Sequence, residues 1–295
     1  MNQPSSWPRI SELIGDGPAD AAILGAPMER ASVNTGRYDL APGVIRRTLA
    51  RFSRYDVETG EELVLRIHDA GDVAVQGVSP EDGFAPIRDA VQRCTAGHPL
   101  TLLLGGHNAV TRPAAHGLGV PLAQVGLITL DAHFDLRDTD GGLLNGNPIM
   151  ALLEDGLPGG NICQVGLAPF ANTARMHGIA RDAGIGVWTI ADCKRSGIVP
   201  ILERALARLS HVSAVMIDFD IDVIDRAQCP GAPGARPGGM PADMFFEAAR
   251  YLGRQRQVKL VDLTEFDPSL DVSDITALTA GRWACEILAG FVARG

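Results

Sequence analysis

The chain has 295 residues, of which 46% are hydrophobic and 21% are charged, so it is long and apolar enough to bury a sizeable core. Its formal net charge of −9, without any run of lysine or arginine, argues against a nucleic-acid-binding protein. No apolar stretch of bilayer length and no signal-peptide pattern is visible, which predicts a cytoplasmic protein that does not bind membranes.

Apolar runs and amphipathic segments alternate along the chain, as expected of an α/β protein. Residues 1–18 are polar and contain prolines, which predicts a loosely held arm with one short helix. The apolar runs predict eight strands, at 20–27, 66–69, 100–104, 125–130, 162–167, 186–190, 213–219 and 258–263. The amphipathic segments predict helices at 42–52, 81–94, 148–154, 173–183, 199–209, 242–252 and 274–293, with another starting near 109. Because no linker divides the chain, we expect one domain over residues 1–295.

This alternation requires crossover connections between strands, which predicts a mainly parallel sheet covered by helices on both faces. A closed barrel of eight strands and eight helices has the same alternation, and the pattern alone does not separate the two folds. The cysteines are odd in number, scattered and without CxxC spacing, which predicts buried thiols in a reducing compartment. They are Cys94, Cys163, Cys193, Cys229 and Cys285.

Ligand-type side chains follow the strand predicted at 125–130. Asp131, His133 and Asp135 alternate there with apolar residues, so an extended chain would place all three on one side. Two carboxylates and an imidazole on one side are costly without a cation, although a surface loop with scattered charges is the alternative.

A second acidic cluster leaves the strand predicted at 213–219. Asp218, Asp220 and Asp222 alternate with large apolar residues, which a solvated acidic turn would not need. Acids so close repel one another unless a cation holds them. The two clusters together predict a binuclear metal centre at the carboxyl edge of the sheet.

Several motifs in this order resemble the ureohydrolase family, which includes arginase, agmatinase, guanidinobutyrase and formimidoylglutamase. The motifs are Ile23-Leu24-Gly25-Ala26-Pro27, Asp69-Ala70-Gly71-Asp72-Val73, Leu104-Gly105-Gly106, Asp131-Ala132-His133-Phe134-Asp135, Asp220-Ile221-Asp222-Val223-Ile224-Asp225 and Asp262-Leu263-Thr264-Glu265-Phe266-Asp267-Pro268. The resemblance implies a three-layer α/β/α fold with an eight-stranded, mainly parallel sheet. It also implies two Mn²⁺ ions per chain and a homotrimer or homohexamer.

Carried over by position, the resemblance places metal ligands at five residues and a substrate-binding carboxylate at Glu265. The five are Asp131, His133, Asp135, Asp220 and Asp222, with Asp131 and Asp220 at the bridging positions.

The sequence departs from the family at two histidines. Asn108 falls on the first histidine ligand, which implies that one metal binds weakly; His107, one position earlier, is the alternative ligand. Asn145 falls on the histidine that shuttles protons in arginase and agmatinase, and an asparagine does not titrate.

Oxygen-rich ligation without thiolate suits manganese or magnesium, and two such ions neutralise the four ligand aspartates and lower the pKa of a shared water. Glu265 would bind a planar amidinium or guanidinium, and Asp135 would accept the water's proton. No Gly-x-Ser-x-Gly motif and no convincing Cys/His arrangement offers a nucleophile instead.

Arg137 separates the possible substrates, because its charge would attract a carboxylate and repel the distal amine of agmatine. An arginine after the Asp-Ala-His-x-Asp signature resembles the formimidoylglutamase branch, whose substrate N-formimino-L-glutamate yields L-glutamate and formamide. Pairing of Arg137 with Asp138 or Asp140 at the surface is the alternative. Two other functions stay open: a guanidine hydrolase of agmatinase or guanidinobutyrase type, and a degenerate non-catalytic homologue.

Overall fold

A computed structural model describes residues 7–294 of the chain. Its main feature is one sheet of eight strands in which every neighbouring pair is parallel. The strands are β1 (Ala21–Ala26), β2 (Ile67–Asp72), β3 (Thr101–Gly105), β4 (Val125–Leu130), β5 (Ile162–Leu167), β6 (Gly186–Thr189), β7 (Ala214–Asp220) and β8 (Val258–Thr264). Their spatial order is β2-β1-β3-β8-β7-β4-β5-β6, so β2 and β6 are the two edge strands and the sheet does not close into a barrel.

Helices cover both faces of this sheet. They are α1 (Ala41–Thr48), α2 (Pro80–Gly97), α3 (Thr111–His116), α4 (Pro148–Glu154), α5 (Ala174–Asp182), α6 (Ile190–Ser196), α7 (Ile198–Arg208), α8 (Ala242–Gly253) and α9 (Ile275–Val292). Helices α1 and α6–α9 pack with one apolar face of the sheet, and α2–α5 pack with the other. The three-layer α/β/α architecture with an eight-stranded parallel sheet is therefore confirmed.

All eight predicted strands are present, with bounds that differ by a few residues at most. The sequence analysis missed α6, which the Thr189–Asp192 capping box begins and Gly197, at φ 77°, ends. It also missed a two-stranded hairpin formed by Tyr55–Asp56 and Glu61–Glu62. These elements are too short for periodicity to reveal them.

The N-terminal arm expected over residues 1–18 falls only partly within the described chain, because residues 1–6 lie outside it. A 3₁₀ turn at Ile10–Leu13 buries both of its end residues. The Ile10 backbone N–H also donates to the carbonyl of Phe52 at 3.0 Å. Contrary to the expectation of a loose arm, this part is packed on the core, because burial of the apolar side chains of Ile10 and Leu13 removes them from water and is favourable.

Helix α9 differs from the expectation that no apolar stretch reaches the length of a bilayer. Its 18 residues and mean hydropathy of 1.2 would allow it to cross a membrane. However, 61% of it is buried inside the protein, and Glu286 within it binds Arg250 of α8 and Arg282. This packing is that of a core helix. All five cysteines are free thiols, four of them buried, as predicted.

Candidate metal centre

The four central strands, β3, β8, β7 and β4, end at the same edge of the sheet and deliver the predicted site residues there. Asp220 is the last residue of β7 and pairs with Thr264 of β8, so Glu265 follows beside it. Leu130 of β4 pairs with Phe219, so Asp131 follows next to Asp220. Asn108 follows β3 at the start of a short 3₁₀ turn.

Asp131, His133 and Asp222 form the most compact cluster, with ligand atoms all within 4.8 Å of one another. His133 Nδ1 lies 3.1 Å from Asp222 Oδ2 and 3.4 Å from Asp131 Oδ1. The charge of Asp222 raises the pKa of His133 to about 12. Without a metal, the imidazole therefore serves as the cation between these carboxylates.

Asp135 lies at the same centre, but the extended backbone expected for residues 131–135 is wrong. Residues 131–135 do not form an extended strand, and Asp135 has a left-handed backbone with φ 51°. Period-two alternation therefore is not what brings the three polar side chains together. Instead, a turn directs Asp135 toward Asn108, whose Nδ2 donates to Asp135 Oδ2 at 2.7 Å. Such backbone strain outside glycine is found mostly at functional sites.

Glu265 is also left-handed, with φ 62°, and is buried. Its Oε1 accepts the backbone N–H of Asn108 at 2.7 Å and the side-chain amide of Asn145 at 2.9 Å. Burial raises the pKa of Glu265 to about 7, and it raises that of Asp131 to about 6. Asn145, at the position of the shuttle histidine, holds Glu265 and accepts the Val33 N–H with its oxygen at 2.8 Å.

His107 points away from the centre, whereas Asn108 points toward it. The fully buried His107 ring donates from Nε2 to the Arg30 carbonyl at 2.5 Å and accepts the Ala109 N–H at Nδ1 at 3.2 Å. Burial lowers the pKa of His107 to about 4, so it stays neutral. Both ring nitrogens are occupied by backbone groups, which favours Asn108 over His107 as the ligand.

A second row of polar side chains lies directly below the proposed ligands, and only one of its members, Asp218, belongs to the acidic clusters recognised in the sequence. Asp262, Asp218, Thr129 and Gln164 are register partners on four adjacent strands and are fully buried. Within residues 7–294, no N–H or hydroxyl group donates a hydrogen bond to either oxygen of Asp218. Burial and the neighbouring carboxylate of Asp262 raise the pKa of Asp218 well above its usual value. The acidic character of this edge thus extends beyond the predicted ligands.

The donor set fits a pair of divalent metal ions. It consists of four aspartates, one imidazole and one carboxamide, with no thiolate, and Asp222 Oδ1 is buried without a hydrogen-bond partner among residues 7–294. Oxygen-rich sites of this kind suit Mn²⁺ or Mg²⁺ better than zinc or copper. The residues that would hold the ions are Asp131, His133, Asp135, Asp220, Asp222 and Asn108.

The ligands open into a cavity of about 140 Å³, a volume for a small molecule. Arg137, Asn145 and Glu265, the three residues expected to bind substrate, line it, and Arg236 lines it as well. The sequence analysis missed Arg236, which lies in the Pro- and Gly-rich loop at 229–240. A Cβ on Gly234 would lie 1.9 Å from Asp222 Oδ2, so this loop approaches the ligands closely because it has a glycine there.

We expect Asn108→His to tighten the weaker metal site, because imidazole binds manganese-like ions better than an amide oxygen does. His107→Ala should leave metal per chain unchanged while lowering the melting temperature, because it removes a buried ring and two hydrogen bonds. The measurement is metal per chain after dialysis, together with thermal unfolding. If His107→Ala loses a metal and Asn108→His gains none, His107 is the ligand.

The metal-free protein should lose stability as pH rises from about 4 to about 7. In that range the folded chain retains protons on groups such as Asp131 and Glu265, whose raised pKa values are about 6 and about 7, whereas the unfolded chain has released them. We expect the melting temperature of chelator-treated protein to fall by about 5 °C between pH 5 and 7.5. Mn²⁺ should reverse the trend, because metal binding requires deprotonated ligands. A metal-free melting temperature that stays level or rises with pH would contradict this.

Comparison with known proteins places these observations in context. A model of the arginase family matches residues 19–290. A formimidoylglutamase of Halalkalibacterium halodurans is 32% identical over 274 residues, which cover 91% of this chain and 86% of that protein. The crystal structure of Bacillus subtilis formimidoylglutamase superposes with a TM-score of 0.91 at 28% identity, covering 99% of this chain and 94% of the other. Trypanosoma cruzi formiminoglutamase, solved with two Mn²⁺, superposes with a TM-score of 0.90 at 23% identity, covering 98% of this chain and 100% of the other, and shows the shared fold.

Proposed function

The chain belongs to the arginase family, and on that premise we propose that it is a formimidoylglutamase, which converts N-formimino-L-glutamate and water into L-glutamate and formamide. The observation that carries the proposal is the pair of guanidinium groups, Arg137 and Arg236, in a cavity that Glu265 and the metal ligands also line. The substrate carries one carboxylate next to the formimino nitrogen, a second at the far end of its side chain, and a formimino cation. The cavity lining thus includes a group of opposite charge for each of them.

Arg137 is available for a substrate carboxylate. Within residues 7–294 it forms no ion pair, because Asp138 binds Arg175 instead. This arrangement argues against the alternative of a surface arginine paired with Asp138. The side chain of Arg137 runs over Gly146, where a Cβ would lie 2.7 Å from Arg137 Cδ.

One side of the Arg236 guanidinium is fixed by its own loop, because Nη1 donates to the carbonyls of Gly234 at 2.7 Å and Ala235 at 3.3 Å. Its Nε and Nη2 groups form no hydrogen bond within residues 7–294, and Arg236 lines the cavity, so they suit a second carboxylate. Agmatine would bring a distal cation toward two arginines, which would repel it. Guanidinobutyrate has a single carboxylate, which could pair with only one of the two arginines. The paired arginines therefore favour a substrate with two carboxylates over either alternative.

Glu265 is placed to bind the formimino cation, because two amide donors fix its Oε1 while the carboxylate faces the cavity. When bound, two Mn²⁺ ions supply an activated water by lowering its pKa. The water's oxygen adds to the formimino carbon, and the bond from that carbon to the glutamate nitrogen breaks. Asp135 accepts the water's proton and returns it to that nitrogen, since Asn145 does not carry a proton.

We also propose the finer assignments that rest on the family and on the sequence: two Mn²⁺ per chain, one of them weak, a homotrimer or homohexamer, a cytoplasmic location and a role in histidine breakdown. The presence of two Mn²⁺ in the T. cruzi structure supports the first of these. Retention of all five acidic and imidazole ligands, with Glu265, weighs against a degenerate homologue. Sedimentation of the Mn²⁺-loaded protein tests the oligomer.

A substrate panel tests the function. Formiminoglutamate, agmatine, guanidinobutyrate and arginine are each incubated with the Mn²⁺-loaded protein, and formamide and urea are measured. We expect formamide from formiminoglutamate and little urea from the others. Urea release from agmatine or guanidinobutyrate at a higher kcat/KM would replace the proposal with a guanidine hydrolase, and no release from any compound would favour the non-catalytic homologue.

Replacing either arginine should weaken binding of the substrate. We expect Arg137→Gln and Arg236→Gln each to raise KM for formiminoglutamate about tenfold with a smaller change in kcat, because a charge-assisted contact is lost. Arg181→Gln is the matched control, since that arginine pairs with Asp182 at the surface. An unchanged KM in both cavity variants would contradict the carboxylate assignment.

A further inference from the structure

The hydroxyl group of Thr111 contacts the carboxamide of Asn108. Thr111 lies three residues further along the chain, so one helical turn brings its Oγ1 to 2.7 Å from Asn108 Oδ1. The same hydroxyl lies 2.9 Å from Asp262 Oδ2 in β8. These three side chains are at most 1% exposed, so bulk water does not replace their contacts.

A hydroxyl has one proton and donates only one hydrogen bond. Of the two groups beside Thr111, only Asn108 can exchange its acceptor for a donor, because its carboxamide can turn its NH₂ toward the hydroxyl, whereas the Asp262 oxygen remains an acceptor for Thr111. When Thr111 donates to Asp262, its own oxygen remains as an acceptor. The matching group on Asn108 is then its NH₂, which turns the carboxamide oxygen toward Asp135 and the metal centre.

In the structure the amide has the opposite orientation, with its nitrogen donating to Asp135 Oδ2 at 2.7 Å. Thr264 Oγ1 lies 3.3 Å from Asn108 Oδ1 on the other side. That orientation supplies a hydrogen-bond donor to the Asp135 carboxylate. A divalent cation on Asp135 prefers the carboxamide oxygen, because the amide NH₂ offers hydrogens rather than a lone pair.

We propose that Thr111, anchored on Asp262, is a positioning residue that selects the Asn108 orientation in which the carboxamide oxygen binds the metal. The inference rests on the metal-binding part of the proposed function and is independent of which amidine is hydrolysed. In this orientation the Asn108 NH₂ donates a hydrogen bond to the Thr111 hydroxyl, and the Thr111 hydroxyl donates to the Asp262 carboxylate. Loss of the hydroxyl would leave the amide free to present either end.

The test is a titration of the protein with Mn²⁺ in the absence of substrate. The electron paramagnetic resonance signal of free Mn²⁺ measures how much of the metal is bound. Thr111→Val, which replaces the hydroxyl by a methyl group, should weaken the weaker site about tenfold, the usual loss when the partner of a metal ligand is removed. Thr111→Ser should bind as the wild type does. Thr101→Val is the matched control, because that hydroxyl is also fully buried and has no partner.

A second background shows whether Thr111 acts through Asn108. In Asn108→Ala protein, Thr111→Val should cause no further loss of Mn²⁺ affinity. Asp262→Asn replaces the preferred acceptor without a change of size, and it should reproduce the loss if Thr111→Val fails to fold. Wild-type affinity in the Thr111→Val and Asp262→Asn variants, or an equal loss in the Asn108→Ala background, would overturn the proposal. Wild-type protein that binds no Mn²⁺ would instead overturn the metal centre on which it rests.

Discussion

Asp131→Ala or Asp220→Ala will abolish metal binding and hydrolysis together. Each carboxylate has a bridging position in the family resemblance, and in the structure each is buried beside further acids. Asp220 Oδ1 also accepts the Asp222 N–H at 2.8 Å, and Asp131 Oδ1 accepts the His133 N–H at 2.6 Å. Either substitution therefore removes a ligand and releases the backbone that holds the next one.

We expect less than one metal ion per chain in either variant and a fall in kcat/KM of about a thousandfold or more, since metal assistance contributes several kcal/mol. Metal analysis of the purified variants and formamide release measure the two effects. Asp182→Ala is the control, because Asp182 is an exposed aspartate far from the ligands in the sequence. Two metals per chain in the Asp131→Ala or Asp220→Ala variant would refute the binuclear assignment.

Glu265→Gln should separate substrate binding from metal binding. The glutamine oxygen can still accept the amide groups of Asn108 and Asn145, so the local backbone and the metal content should stay as they are. The formimino cation, however, loses its counter-charge in a buried site, which costs about 2–5 kcal/mol.

We therefore expect kcat/KM to fall on the order of a hundredfold to a thousandfold in Glu265→Gln while Mn²⁺ per chain is unchanged. Asp267→Asn is a matched control: Asp267 is also buried but binds the N–H and hydroxyl of Ser269. Loss of metal from Glu265→Gln would show that the carboxylate supports the metal centre instead of the substrate. Retained activity would remove Glu265 from the mechanism.

The sequence was sufficient for the sheet and for placing most of the proposed ligands at one edge of it, because these residues follow the apolar strands directly. Asp131 and Asp220 are adjacent in space only because their strands pair in register, yet both are recognisable as strand-end acids. The wrong step was the assumption of an extended chain at 131–135, since nothing local in the sequence indicates the left-handed backbone of Asp135.

Other parts of the site depend on contacts that sequence spacing does not carry. Arg236 belongs to a loop whose path is set by its packing against Asp222. The row containing Asp218 and Asp262 becomes visible only once the strand order and register are known. Asp262 lies inside a motif of the family resemblance and Asp218 lies in the acidic cluster at 218–222, so the sequence shows both residues but not their pairing across β7 and β8.

The position of β8 has a consequence for how the chain is made. Although Val258–Thr264 is the last strand in the sequence, it lies at the centre of the sheet, between β3 and β7. A nascent chain leaving the ribosome therefore has two separate sheet fragments, β2-β1-β3 and β7-β4-β5-β6, with unpaired edges facing the gap. Closure of that gap requires contacts of long sequence separation, which form slowly. The protein thus lacks Glu265, the proposed substrate-binding carboxylate, and stays open to misassembly until β8 has been synthesised.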